Sequence, residues 1–144
     1  MVKRDNLTHG VHHIALGVKS LKSMRSFYEN VLKLNHVLVE FPNGEHESLE
    51  EVFRMFPVEF AGVIFGQEAG GIYVELIQMI NPSPHYIRSD FRYGDIGVNK
   101  ITLAVPNLEQ FYRHCQLSCV KLFSANLPKK GRFSATFPIG FDLQ

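Results

Sequence analysis

The 144-residue chain has no tryptophan, only two cysteines and almost no net charge. Its 15 Lys and Arg residues nearly balance 14 Asp and Glu residues, which leaves a formal charge of +1. Such a balance provides no field that would recruit nucleic acid or an anionic membrane. No uncharged stretch approaches the roughly 20 apolar residues that a membrane helix needs. We therefore expect a globular protein that binds neither nucleic acid nor membrane.

The scarcity of cysteine bears on the cellular compartment. Cys115 and Cys119 lie four positions apart, a spacing that leaves a disulfide or a metal site open but favours two reduced thiols. Met1 to Gly10 is polar and charged, and no apolar segment of a secretory signal follows it. We expect a cytoplasmic protein.

An internal repeat is the strongest organisational feature. The segment from Val11 to Leu21 is echoed by the segment from Val98 to Leu108. In each copy apolar residues recur at every second position, as in a half-buried strand, and Ser20 or Asn107 then provides a helix N-cap. Each copy therefore predicts a strand, a turn and a helix. The alternating apolar residues are Ile14, Leu16 and Val18 in the first copy and Ile101, Leu103 and Val105 in the second.

The repeat predicts an α+β chain with two similar halves. After the first helix, strand-like stretches lie at residues 36–41, 59–65 and 72–78, and a short helix between the first two has Ser48 as its cap and Pro57 as its stop. The second half offers further strands at 120–124, at 132–137 and from Phe141 onwards. We expect one domain over residues 1–144, made of module one (about 10–81), a turn-rich linker (about 82–97) and module two (about 98–144).

Four segments together resemble a known family. They read HHIALGVKSLKSMRSFYENVLKL, GGIYVELIQ, VNKITLAVPNLEQFYRHC and FPIGFDLQ, in chain order. They resemble the opening and closing segments of the two modules of the glyoxalase/bleomycin-resistance/extradiol-dioxygenase (vicinal oxygen chelate) superfamily. The resemblance implies two βαβββ modules that form a shared curved-sheet cleft, with the helices packed outside. It also implies one divalent metal ion, zinc, iron, manganese or nickel, in the cleft.

The resemblance assigns four ligand positions, one to each end of each module. His13 matches the first and Glu75 the second, whereas the third falls on Lys100 and the fourth on Gln144. His, Glu and Gln have lone pairs for a metal, but a Lys ammonium has none and its charge repels a cation. The resemblance therefore implies a degenerate metal site of His13, Glu75 and Gln144.

Lys100 leaves two interpretations open. In one, a metal binds His13, Glu75 and Gln144 while Lys100 turns aside or shuttles a proton. In the other, Lys100 replaces the metal and pairs with Glu75. Glu75 and Lys100 are the candidate catalytic residues in either case. A third alternative also stays open, in which His13 is only a hydrogen-bonded histidine and Glu75 only an ion-paired carboxylate.

Strand alternation predicts which side chains line the cleft. If the apolar residues of the first strand face the helix, His13 faces the other way, and Tyr73 shares a face with Glu75. Candidate substrate-binding residues are Tyr73, Lys100 and Thr102. The same parity turns His12 towards the helix, as a packed or hydrogen-bonded side chain. Replacement ligands could come from His85, Glu40 or Glu59.

Three function classes follow from these residues. The first is a small-molecule-binding, glyoxalase/bleomycin-resistance-like protein that works without a metal and holds a partly aromatic or anionic ligand. The alternative is a metal-dependent lyase or epimerase of the glyoxalase type that uses His13 and Glu75. The third is a structural or regulatory module with a filled cleft. The family resemblance also suggests a homodimer.

Overall fold

The structure is a computed structural model that describes residues 10–68, 70–85, 101 and 103–118, in two units, 1–84 and 85–144. The described elements make the chain α+β, as predicted. In chain order they are β1 (His13–Gly17), α1 (Leu21–Ser26), β2 (His36–Glu45), α2 (Glu47–Phe53), β3 (Glu59–Gly66), β4 (Tyr73–Asn81) and, in the second unit, α3 (Leu108–Leu117).

The strands of the first unit form a four-stranded mixed sheet in the order β1-β4-β3-β2. β1 runs parallel to β4, whereas β3 pairs antiparallel with both β4 and β2. The predicted order of strand, helix and three strands is therefore confirmed for this unit. The strands predicted at 120–124, at 132–137 and from Phe141 lie outside the described residues, so the paired-module arrangement stays a prediction.

Helix α1 begins where the sequence predicts. The Ser20 hydroxyl accepts a hydrogen bond from the backbone N–H of Ser23 at 3.3 Å, which satisfies one of the free donors of the first turn. A second bond comes from the sheet, because Gln78 Oε1 on β4 accepts the Leu21 N–H at 2.7 Å. The helix continues as a π-helical turn over Phe27–Val31. The start of α1 is thus tied to the sheet as well as capped locally.

One face of the sheet packs against α1 and its π-helical turn. The ring of Tyr28 meets that of Phe65 on β3 at a centroid distance of 5.5 Å, and this burial raises the pKa of Tyr28. Arg25 reaches both Glu29, at 2.8 Å, and Glu40 on β2, and the hydrogen bonds to these two carboxylates raise the pKa of its guanidinium. The buried side of the helix, which carries Tyr28, is therefore the side that packs on the sheet.

Two predicted boundaries in the insert are wrong. β2 continues past Phe41 to Glu45, and the N-cap position of α2 is His46, which makes no side-chain capping bond, whereas Ser48 lies inside the first turn. His46 is held by tertiary contacts, since its Nε2 donates to the carbonyl oxygens of Pro42 at 3.0 Å and Phe60 at 3.2 Å. These contacts, which sequence spacing does not reveal, fix the start of α2.

The second unit is described mainly through α3. Asn107 caps it as predicted, with Oδ1 accepting the Gln110 N–H at 3.0 Å. Cys115 is buried, and this burial raises the pKa of its thiol. Of the second predicted opening strand, Ile101 forms a single β-bridge, and residues 103–105 lie outside any strand. None of the helices in the described ranges is both long and apolar enough to cross a membrane.

Candidate functional site

The candidate site lies on the sheet face opposite to α1. Ala15 on β1 and Ile64 on β3 are the register partners of Glu75 on β4, and His13 is the partner of Tyr73. Because paired residues share a face of the sheet, these five side chains project to the same side. The adjacent residues Ile14, Leu16, Val74 and Leu76 occupy the helix-covered side, and the predicted parity of β1 and β4 holds.

His13, on the edge strand β1, and Glu75, on β4, meet on this face. His13 Nε2 lies 3.2 Å from Glu75 Oε2, and the side chains are 37% and 11% exposed. Glu75 is the buried charged residue of the described part of the chain. A carboxylate removed from water needs a donor or a cation beside it. Two residues that are 62 positions apart in the sequence (75 − 13) thus form one polar pair.

The pair has donors that fit a divalent metal ion in part. With metal–ligand bonds of about 2.1 Å, two donor atoms 3.2 Å apart subtend about 100° at the metal, between octahedral and tetrahedral angles. Imidazole and carboxylate suit zinc, iron, manganese and nickel. Within the described residues, however, no three His, Cys, Asp or Glu side chains are grouped for metal binding. The described donor set therefore holds two of the three ligands that a catalytic zinc site usually has.

His12 belongs to the site, contrary to the prediction that it faces the helix. Its Nδ1 lies 2.9 Å from Nδ1 of His13, and its ring lies 5.4 Å from that of Tyr73, tilted by 31°. The parity argument failed because β1 begins at His13, so His12 precedes the regular strand. The paired histidines at the strand's start were the signal available in the sequence.

Aromatic rings border the polar pair at one end of the face. Tyr73 has the ring of His12 on one side and that of His36 at 6.3 Å. Gly66 lies next to Tyr73, since a Cβ built on it would come within 2.9 Å of Tyr73 Cδ1. The candidate substrate-binding residue Tyr73, on β4, is therefore beside the His13–Glu75 pair, and its ring lies against Gly66 of β3, which has no side chain.

Glu40 and Glu59, two of the suggested replacement ligands, are not brought to this pair. Lys100, Thr102 and Gln144 lie outside the described residues, so their roles stay predictions. Glu40, a suggested replacement ligand, pairs with Arg25 of α1. Glu59 is the partner of Asn81 at the far end of β4, and His85 is an exposed residue after β4. Neither Glu40 nor Glu59 completes a metal site with His13.

Comparison with known proteins gives this chain no relative. No family model, no curated protein and no solved structure matches it. The site and the resemblance in the sequence are therefore the two indications of its function.

Proposed function

We propose that the chain is a small-molecule-binding protein of the glyoxalase/bleomycin-resistance kind with a degenerate metal site, which binds its ligand without a metal. The observation that carries this proposal is the contact between His13 Nε2 and Glu75 Oε2, 3.2 Å long, on the sheet face that α1 leaves uncovered. A buried carboxylate paired with a half-exposed imidazole is a polar anchor of the type found in ligand sites.

The surroundings of the pair suit a planar ligand. The small residue beside the pair is Ala15, which is exposed on β1, whereas the rings of Phe60 and Tyr73 pack over Gly62 and Gly66. Tyr73 and His36 offer aromatic surface at one end. Ligand pockets combine a mostly apolar lining with a few polar groups that fix orientation, and this face has both.

Lys100 is the reason to propose an anionic ligand. The resemblance assigns it to a position where a metal ligand would stand, and its ammonium favours an anionic group on the ligand over a metal cation. In the proposal Lys100 and Thr102 belong to the substrate-binding residues together with Tyr73. An aromatic carboxylate is the simplest ligand with both properties.

Calorimetric titration with benzoate tests this proposal. The protein is kept free of metal with a chelator, and we expect binding that His13→Ala and Tyr73→Ala weaken at least about tenfold, which corresponds to about 1.4 kcal/mol. Lys100→Ala should weaken it as well. The matched control is Glu59→Gln, at the far end of the same sheet, which should leave affinity unchanged. Equal benzoate affinity in wild type and His13→Ala would contradict the proposal.

A metal-dependent lyase or epimerase is the second candidate. It is favoured by the 3.2 Å distance between His13 Nε2 and Glu75 Oε2, which suits two ligands of one ion. A metal bound there would polarise a carbonyl oxygen as a Lewis acid. Glu75 and Lys100 would hold and move the proton, and Gln144 would add an amide oxygen. Elemental analysis decides between the candidates, since this one requires stoichiometric divalent ion and the first does not.

The proposal extends to compartment and assembly. We place the protein in the cytoplasm, because the number and spacing of its two cysteines favour reduced thiols, and infer a homodimer from the family resemblance. Light scattering after size-exclusion chromatography measures the assembly directly. A mass of one chain at micromolar concentration would remove the dimer from the proposal without affecting the ligand site.

A further inference from the structure

Three polar side chains lie in contact one after another in the candidate site: Glu75 forms an ion pair with His13, and His13 is hydrogen-bonded to His12. Glu75 Oε2 lies 3.2 Å from His13 Nε2, and His13 Nδ1 lies 2.9 Å from His12 Nδ1. Both ring nitrogens of His13 are thus engaged. Glu75 is buried, whereas His12 is exposed, so the chain leads from a buried carboxylate to an imidazole at the surface of the sheet.

The contacts from Glu75 to His13 and from His13 to His12 determine the tautomer of both histidines. A carboxylate has no proton to donate and its charge repels a lone pair, so the 3.2 Å contact favours the proton of His13 on Nε2. A neutral imidazole has one N–H, and therefore Nδ1 of His13 is a lone pair that must accept. His12 then donates from its own Nδ1, which leaves the lone pair on its Nε2. A buried carboxylate on the same sheet face thereby determines which nitrogen of the exposed His12 ring is a lone pair.

We propose that His12 is a ligand-binding residue whose Nε2 accepts a hydrogen bond from an O–H or N–H group of a planar ligand. Its ring lies beside Tyr73, at 5.4 Å and a tilt of 31°, so a donor on a ligand that covers Tyr73 is within its reach. The inference rests on the proposed function, since it requires His13 and Glu75 to be the ligand site. It narrows the ligand class to phenolic or similar donor-bearing aromatic acids.

Long-range ¹H–¹⁵N correlation spectra measure the histidine tautomers, and so test the proposed series of contacts from Glu75 through His13 to His12. At about pH 8, where imidazoles are ordinarily neutral, wild-type His12 should carry its proton on Nδ1 and His13 on Nε2. Glu75→Gln should release the constraint, because an amide both donates and accepts, and His12 should then populate both tautomers. His36→Phe, the matched control beside Tyr73, should leave His12 unchanged. A wild-type His12 with its proton on Nε2 overturns the inference.

A pair of probes tests the ligand contact. 4-Hydroxybenzoate should bind the metal-free protein about 2- to 10-fold more tightly than benzoate, the gain expected of one hydrogen bond. His12→Asn keeps a donor where Nδ1 stands but has no group at the position of Nε2, so it should abolish this preference while benzoate affinity persists. His36→Phe should keep the preference. If the preference survives in His12→Asn, the inference is wrong.

The two proposals fail separately. If neither probe binds the wild-type protein, the proposed function fails in its own test, and with it the role of His12 towards a ligand. If benzoate binds and depends on His13, but the preference for the hydroxyl is absent or independent of His12, the proposed function stands and only the assignment of His12 is overturned.

Discussion

Gly66 and Tyr73 lie so close on neighbouring strands that a Cβ at position 66 would come within 2.9 Å of Tyr73 Cδ1. The absence of a side chain on Gly66 therefore determines where the Tyr73 ring rests. That ring borders the His13–Glu75 pair and contacts both His12 and His36. A residue without any functional group thus shapes the aromatic end of the candidate site.

Gly66→Ala should displace the Tyr73 ring and weaken benzoate binding. We expect a loss of stability of about 1–3 kcal/mol, the usual cost of overpacking, measured by urea denaturation. Gly17→Ala is the matched control on β1, because a Cβ there meets nothing within 4 Å. Equal stability and equal affinity in the two variants would show that Tyr73 adapts freely.

His13→Ala should destabilise the fold because it leaves Glu75 without this donor. The expected cost is about 1–3 kcal/mol, the desolvation penalty of an unsatisfied buried group. The double variant His13→Ala/Glu75→Gln should be more stable than His13→Ala alone, since a neutral amide costs less to bury than an unpaired carboxylate. Denaturation curves give the free energy of unfolding of wild type, His13→Ala, Glu75→Gln and the double variant. A loss of stability in the double variant equal to the sum of the two single losses would argue against a direct interaction.

Tyr28 should make the fold sensitive to alkali. Burial raises the pKa of Tyr28 above its ordinary value of 10.0, so the folded state binds this proton more tightly than the unfolded state does. Stability from this group is present below the unfolded pKa and is lost as pH rises through the folded one. Wild type should therefore lose stability faster above about pH 10 than Tyr28→Phe does. An equal loss of stability with pH in wild type and Tyr28→Phe would exclude Tyr28 as the cause.

Zinc titration should invert the hydrogen bond between His12 and His13 if the second candidate function holds. A metal at His13 Nε2 requires the ring proton on Nδ1, which would then donate to His12 Nδ1. His12 should accordingly move its proton to Nε2, and the same correlation spectra report it. The metal-free proposal predicts no change at His12 with one equivalent of zinc, and His85→Ala controls for zinc held elsewhere.

Local features of the sequence predicted much of the first unit. The alternation of β1 and the cap at Ser20 depend on adjacent residues and on strand and helix periods, and the structure shows both. The approach of His13 to Glu75 was implied by the resemblance, which contains long-range information that a single sequence lacks.

Features that depend on cross-strand register were missed. β2 contains an irregularity at Leu38, between the pairs of Val37 and Val39, and extends to Glu45 through its pairing with Glu59. The start of α2 depends on His46 contacting the carbonyl oxygens of other segments. His12 precedes the strand whose period was used to orient it. For β2 and α2 a partner distant in sequence determines the local conformation, and the hydrophobic periodicity of one segment does not reveal that partner.

The central claim, that His13 and Glu75 form the ligand site, is tested most directly by a ¹H–¹⁵N shift map of the metal-free protein with benzoate. The account predicts that the largest changes fall on Ala15, Ile64, Tyr73 and Glu75, and that they vanish in His13→Ala. Largest changes on α3, or on the side of the sheet that Arg25 and Tyr28 cover, with the same map in His13→Ala, would contradict it.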